Sequence, residues 1–211
     1  NTLFRRYEFK YLLDKKSASQ IKDQAKKFML IDNYAKKGKD QSYFVRSLYF
    51  DNSEYQNFYD KVDGIRSRKK FRLRTYPNAK EKFLFKEIKI TCVEGKFKKS
   101  EKMNVKDLNS INQIFFDSNY GFLEKKIIVS YTREYFLIED VRITLDYNIC
   151  YSTPEENYKQ SDFESLILEV KSTKNIIDVH NKFLNLIPIR RERFTKYCEG
   201  INLLYNKNYF Q

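Results

Sequence analysis

Charges of both signs recur at every second residue in segment after segment of this chain, with bulky apolar or aromatic residues between them. Arg6, Glu8 and Lys10 alternate with Tyr7, Phe9 and Tyr11. Arg72 and Arg74 alternate with Phe71 and Leu73, and Glu87 and Lys89 with Ile88 and Ile90. Arg142, Thr144 and Asp146 alternate with Ile143, Leu145 and Tyr147, and Glu169 and Lys171 with Leu168 and Val170. A period of two places each set on one side of a sheet, so strands must dominate the fold.

The pattern predicts strands over 6–12, 44–50, 69–76, 82–91, 96–103, 127–138, 141–149 and 166–172. Helices fit between them. Residues 17–30 put Ile21, Ala25 and Phe28 on one face, with Asp14 or Ser17 as the cap. Residues 52–62 stop at Asp63-Gly64, a usual helix exit. Helices over 105–116, 178–186 and 196–206 follow, and the polar stretch 153–162 reads as a loop. No repeat and no domain boundary appears, so residues 1–211 read as one domain. Strands in mostly sequential order, without regular alternation with helices, predict an antiparallel α+β protein.

Composition narrows the function. The 211 residues include 18 Phe and 17 Tyr, enough apolar mass for a core and against disorder. Five Gly and three Pro leave no room for a site built on repeated glycine loops. The single histidine, His180, excludes a His-rich zinc site and argues against a Ser-His-Asp triad. Cys92, Cys150 and Cys198 are far apart and read as free thiols of a reducing compartment, hence a cytoplasmic location. No apolar run of about 18 residues is present, and Asn1–Arg6 has no apolar signal core. The missing initial Met suggests a trimmed chain and leaves an anchor, or a membrane-protein partner, open.

A net charge of +13 calls for a polyanion: nucleic acid, anionic membrane or phosphate compounds. The simplest account of the alternating charges is a sheet with one wet face. Yet arginine dominates several of these positions, and its planar fork grips phosphate oxygens. Isolated carboxylates among the bases suit a metal ion or the orientation of a guanidinium. A sheet closed into a barrel, charged face inward and apolar face under helices, accounts for all of this. Single-stranded nucleic acid needs aromatics on the same face as the bases. Here Tyr7, Phe9, Phe71 and Tyr147 alternate to the opposite face, so no nucleic-acid partner is expected.

At these residues the chain resembles a family. The segments are Arg6-Tyr-Glu-Phe-Lys10, Val45-Arg-Ser-Leu-Tyr-Phe-Asp-Asn52, Gly64 through Arg72-Leu-Arg-Thr-Tyr76, Glu87-Ile-Lys89, Gly95 through Lys99, Ser130-Tyr-Thr-Arg133, Val141-Arg-Ile-Thr-Leu-Asp146, Leu168-Glu-Val-Lys171 and Arg193-Phe-Thr-Lys-Tyr197. Each is weak alone; nine in order resemble the polyphosphate polymerase domain of the vacuolar transporter chaperone (VTC) family, within the CYTH-like triphosphate tunnel superfamily. The resemblance implies an eight-stranded, closed antiparallel tunnel. It implies ATP and polyphosphate as substrates, Mn²⁺ or Mg²⁺ as cofactor, and transfer of the γ-phosphoryl group of ATP to a growing polyphosphate chain.

Carried over by position, the resemblance implies phosphate-gripping roles for Lys10, Arg72, Arg74, Lys89, Lys99, Arg133, Arg142, Lys171, Arg193 and Lys196, with Tyr131 facing the tunnel. Arg72, Arg74, Lys89, Arg133, Arg142 and Lys196 would serve the transfer itself. Glu169 would bind the metal, assisted by Glu8. Two departures stand out: Glu101 where many relatives have Arg, and Thr195 where Ser is usual. A tunnel triphosphatase needs the same bases and metal and stays open as an alternative. A non-catalytic module that binds polyphosphate or inositol phosphates stays open too. Oligomeric state is not legible.

Overall fold

The computed structural model describes residues 7–28, 30–31, 42–81, 83–103, 108, 111, 114–138, 141–172 and 194–207. Within them lie strands β1 (Tyr7–Leu13), β2 (Leu30–Ile31), β3 (Ser42–Asp51), β4 (Arg68–Thr75), β5 (Leu84–Cys92), β6 (Gly95–Met103), β7 (Phe115–Asp117), β8 (Gly121–Ile138), β9 (Val141–Ser152), β10 (Lys159–Asp162) and β11 (Leu166–Ser172). The helices are α1 (Lys15–Phe28), α2 (Gln56–Val62) and α3 (Lys196–Tyr205). The antiparallel α+β class expected from the alternation holds. The stretch expected as a loop ends in β10, which pairs with β9. The end of the expected helix over 105–116 is instead β7, and the expected helix over 178–186, Arg193 and His180 lie outside the described residues.

The ladder runs β1-β11-β9-β8-β3-β4-β5-β6. Eight strands along the ladder match the expected number, but among the described residues the ladder does not close into the expected barrel. Among the described residues no ladder joins β6 to β1, and the sheet is open. The sequence of β6, Gly-Lys-Phe-Lys-Lys-Ser-Glu-Lys-Met, explains this end. It is largely exposed and rich in lysine, the composition that keeps an edge strand from taking a partner.

The chain divides into two compact units. The first contains residues 1–43, 131–149 and 162–194, and the second residues 44–130, 150–161 and 195–211, so β8 and β9 run through both. In the first unit, Tyr11, Leu13, Ile143, Leu145, Leu168 and Val170 form an apolar sheet face that packs on Ala18, Ile21 and Ala25 of α1. Asp14 caps α1: its Oδ1 accepts the Ser17 amide at 2.7 Å.

In the second unit, Leu48, Phe50, Phe71, Leu73, Leu84, Leu123 and Ile128 form the core with Leu108 and Ile111. The opposite face is not left to charge alone. Tyr197 of α3 stacks on Tyr49 at 5.4 Å, and a Cβ on Gly200 would meet Ile127 Cδ1 at 2.6 Å and Tyr151 Cδ1 at 2.7 Å. Thr195 caps this helix through the Cys198 amide, and Asn206, left-handed at φ 51, ends it.

Candidate functional site

In each unit a cluster of charge lies on one sheet face, and strand register decides its members, because directly paired residues point to the same side. In the first unit Glu8 pairs with Lys171, Lys10 with Glu169, Glu169 with Thr144 and Lys171 with Arg142. Three neighbouring strands thus present Glu8, Lys10, Glu169, Lys171, Arg142 and Thr144 on one face. Asp146, next on that face of β9, accepts a fork from Arg133, with Nε to Oδ1 at 2.6 Å and Nη2 to Oδ2 at 2.7 Å. Arg133 lies 5.3 Å over the buried Tyr131 ring.

Glu169 is 8% exposed. Lys10 Nζ stands 3.8 Å from its Oε2, and Lys171 Nζ bonds its Oε1. Burial by itself would raise this carboxyl. The charges of Lys10, Lys171 and Arg133 overrule it and hold Glu169 well below the usual carboxylate range. Arg133 is likewise opposed by burial, but Asp146 keeps it charged and pushes its pKa well above the ordinary value.

Glu8 Oε1 is also 4.0 Å from Lys10 Nζ, so two carboxylates converge on one cation. Among the described residues no group of three or more His, Cys, Asp or Glu could cage a metal. Two oxygen donors fit Mg²⁺ or Mn²⁺, which commonly keep water and substrate phosphates as further ligands. They do not fit a closed structural zinc site.

The second unit is more basic. Lys70, Arg72 and Arg74 alternate along β4. Arg72 pairs with Tyr49 and Glu87, Arg74 with Ser47, Lys70 with Lys89, and Lys89 with Lys98. Lys70, Arg72, Arg74, Lys89 and Lys98 therefore share this face with the buried carboxylate of Glu87, and Arg68, Lys96 and Lys102 extend it along β4 and β6. Arg72 Nε donates to Glu87 Oε2 at 2.6 Å, Arg74 Nη1 is 3.8 Å from the same oxygen, and Lys98 Nζ bonds Oε1. Burial opposes ionisation here too, but Arg72, Arg74 and Lys98 pull Glu87 down to about 2. Arg74 Nε donates to Ser47 Oγ at 3.1 Å, and Lys70 Nζ to Thr195 Oγ1 at 3.2 Å. Tyr49, 4% exposed, accepts from Arg72 Nη1 at 3.2 Å. Burial would raise its phenol, yet Arg72, Arg74 and Lys70 bring it down to about 7.

The structure therefore gathers Lys10, Glu8, Glu169, Lys171, Arg142, Arg133 and Tyr131 in one cluster, and Arg72, Arg74 and Lys89 in the other. Lys196 opens α3, directly after the Thr195 hydroxyl that Lys70 touches. Lys99 pairs with Ile88 and Glu101 with Lys86, so both lie on the face opposite Glu87. Lys96, Lys98 and Lys102 lie on the charged face of β6, and Lys98 is the one that bonds Glu87. Lys70, Lys98 and Tyr49 were not singled out by sequence, and Thr144 was placed with Arg142 and Asp146 but given no role. The alternation Lys70-Arg72-Arg74 contained the signal for the first of them.

A sequence profile of the VTC domain matches residues 5–119 and 102–205. The chain belongs to the VTC domain family. This bears out the resemblance to the VTC family carried by the nine motifs. A comparison with curated proteins gives no match. Similar solved structures include a candidate adenylate cyclase from Bacillus halodurans, 13% identical over 94% of this chain and 96% of that one, with a TM-score of 0.59. The PH1819 protein of Pyrococcus horikoshii is 13% identical over 96% and 99%, at 0.58. The PH1012 protein of the same organism is 15% identical over 94% and 100%, at 0.56. At such identities the likeness speaks for fold alone. Among the described residues of this VTC protein, no helix is long and apolar enough to cross a membrane.

Proposed function

We propose that this VTC domain is a metal-dependent polyphosphate polymerase that takes ATP and polyphosphate as substrates, with residues 1–211 acting as one functional domain in the cytoplasm. The observation that carries the phosphate chemistry is the face of Lys70, Arg72, Arg74, Lys89 and Lys98 around the single Glu87. Such a surplus of guanidinium and ammonium groups on one face suits an anion whose charge is spread over many oxygens. VTC membership supports the polymerase over the triphosphatase.

In the proposed reaction, a terminal oxygen of the polyphosphate chain forms a bond to the γ-phosphorus of ATP. The bond from that phosphorus to the β–γ bridging oxygen breaks, and ADP leaves. The attacking oxygen is already anionic at neutral pH, so no His or activated Ser is required. The protein holds the phosphates in position and neutralises oxygen charge, which is most of what phosphoryl transfer asks of it. Arg72, Arg74, Lys89, Arg133, Arg142, Lys10, Lys171, Arg193 and Lys196 are the bases proposed to do so. Glu169, with Glu8, would hold Mn²⁺ or Mg²⁺, and the bound ion would add charge neutralisation on phosphate oxygens.

The test is the phosphate balance. Incubated with ATP and Mn²⁺, the protein should release ADP while the phosphate accumulates in chains that a gel resolves. Free orthophosphate matching ATP loss from the first time points, without chains, replaces the polymerase by a triphosphatase. No turnover, together with binding of polyphosphate, leaves a binding module.

A further inference from the structure

We propose that Thr144, which none of the nine family motifs distinguishes as a functional position, completes an oxyanion subsite beside Glu169, its hydroxyl donating a hydrogen bond to a non-bridging oxygen of a bound phosphate; this rests on the phosphate-binding reading above. The argument begins with two donors in the first unit. Thr144 Oγ1 and Arg142 Nε are both buried from solvent, and neither has a hydrogen-bond partner. Buried polar atoms are bonded in the great majority of cases, and an orphaned one costs stability, so two within one short row need a cause.

Their placement supplies one. Residues 142 and 144 are two apart on β9 and share a face. Thr144 is paired with Glu169 and Arg142 with Lys171, so both stand on the charged face and not in the apolar core of Ile143 and Leu145. The other polar groups there have neutralising partners: Asp146 with Arg133, and Glu169 with Lys10 and Lys171. Two donors directed to this face and bonded to nothing suit an acceptor that arrives with the ligand. Arg142, held 5.2 Å over the Tyr135 ring, offers charge; Thr144 offers a short neutral donor beside the proposed metal carboxylate.

A merely structural threonine predicts something different. Valine has the same shape and favours strands equally, so replacing an unbonded buried hydroxyl by a methyl should leave the free protein as stable or more so. The experiment compares wild type, Thr144→Val and Thr144→Ser by calorimetric titration with tripolyphosphate in the absence of metal, and by thermal melting of the free proteins. Wild type should bind. Thr144→Val should bind about ten-fold more weakly or worse, the scale of one hydrogen bond to a charged acceptor, with an unchanged or raised free melting temperature. Thr144→Ser, which keeps the hydroxyl, should recover most of the affinity. If wild type binds and Thr144→Val binds equally well, the subsite is refuted while the functional reading stands. If wild type itself does not bind tripolyphosphate, both fall.

Discussion

Removing the charge of Glu87 tests the electrostatic reading of the second cluster most directly. Glu87 is 4% exposed and is held by Arg72, Arg74 and Lys98. Folding moves its carboxyl from an ordinary 4.5 to about 2. At 1.36 kcal/mol for each unit, that difference is worth about 3 kcal/mol of folding stability. The sign follows from the direction. A depressed carboxyl contributes in full above the unfolded value near 4.5, and the contribution is lost as pH falls through the folded value near 2. Glu87→Gln should therefore cost about 3 kcal/mol at pH 7, or about 6–12 °C in melting temperature for a chain of this size. The gap between wild type and variant, followed by denaturant unfolding down the acid range for as long as both fold, should narrow steadily below about pH 4.5. Tripolyphosphate should stabilise the variant more than wild type, since it would bring negative charge back to Arg72, Arg74 and Lys98. A gap that is absent at pH 7, or that stays constant as the acid range is entered, would refute the reasoning, because the carboxylate would then not be held by these bases.

Glu169→Gln should lower metal-dependent turnover by roughly two to three orders of magnitude, the scale of one preorganised electrostatic group, while metal-free binding of ATP measured by calorimetry largely survives. Tripolyphosphate at about 100 times its dissociation constant should raise the wild-type melting temperature by about 5–10 °C, whereas chloride at equal ionic strength should not; an equal shift with both would mean that the bases act only as a diffuse surface charge. Wild type should show a tyrosinate step in near-ultraviolet absorbance around pH 7 that Tyr49→Phe lacks. Because folding lowers this phenol, the stabilisation linked to it appears as pH rises through about 7 and is complete above the ordinary value of 10, so Tyr49→Phe should lose that rise.

The strands were legible because their alternation is strict. From Val141 to Tyr147 in β9 and from Leu166 to Val170 in β11, every second residue is apolar, and the structure returns those residues to one core. Where alternation fails, so does the reading. In β6 the run Lys98-Lys99-Ser100-Glu101-Lys102 contains no apolar residue, so its face is marked only by Phe97 and Met103 at its ends, and pairing with β5 puts Lys98 and not Lys99 beside Glu87. Closure was not legible for a related reason. A lysine-rich strand reads the same whether it lines a barrel or guards an edge, and β6 does the second. β10 escaped because Lys-Gln-Ser-Asp is polar throughout. Tyr49 and Thr144 escaped because what distinguishes them is not their type but their surroundings: three bases around a phenol, and a hydroxyl with no partner.

The same contrast sorts the acids, which alternation alone cannot separate. Asp146 and Glu87 each receive arginine: a two-point fork from Arg133 in one case, Arg72 through Nε in the other. The planar guanidinium is pre-organised for that contact, so these carboxylates serve to aim arginines and are costly to withdraw. Glu169 and Glu8 are held differently. Their close ion pairs are with the ammonium groups of Lys10 and Lys171, compact charges on flexible stems that can turn to other acceptors. A carboxylate gripped by lysines can exchange them for a divalent ion while the lysines move to phosphate oxygens. One gripped by an arginine fork would leave the fork unpaired. The proposal that Glu169 and Glu8 bind the metal, while Asp146 and Glu87 position arginines, is supported by the bases each one meets. It predicts that Mn²⁺ affinity falls in Glu169→Gln but not in Glu87→Gln.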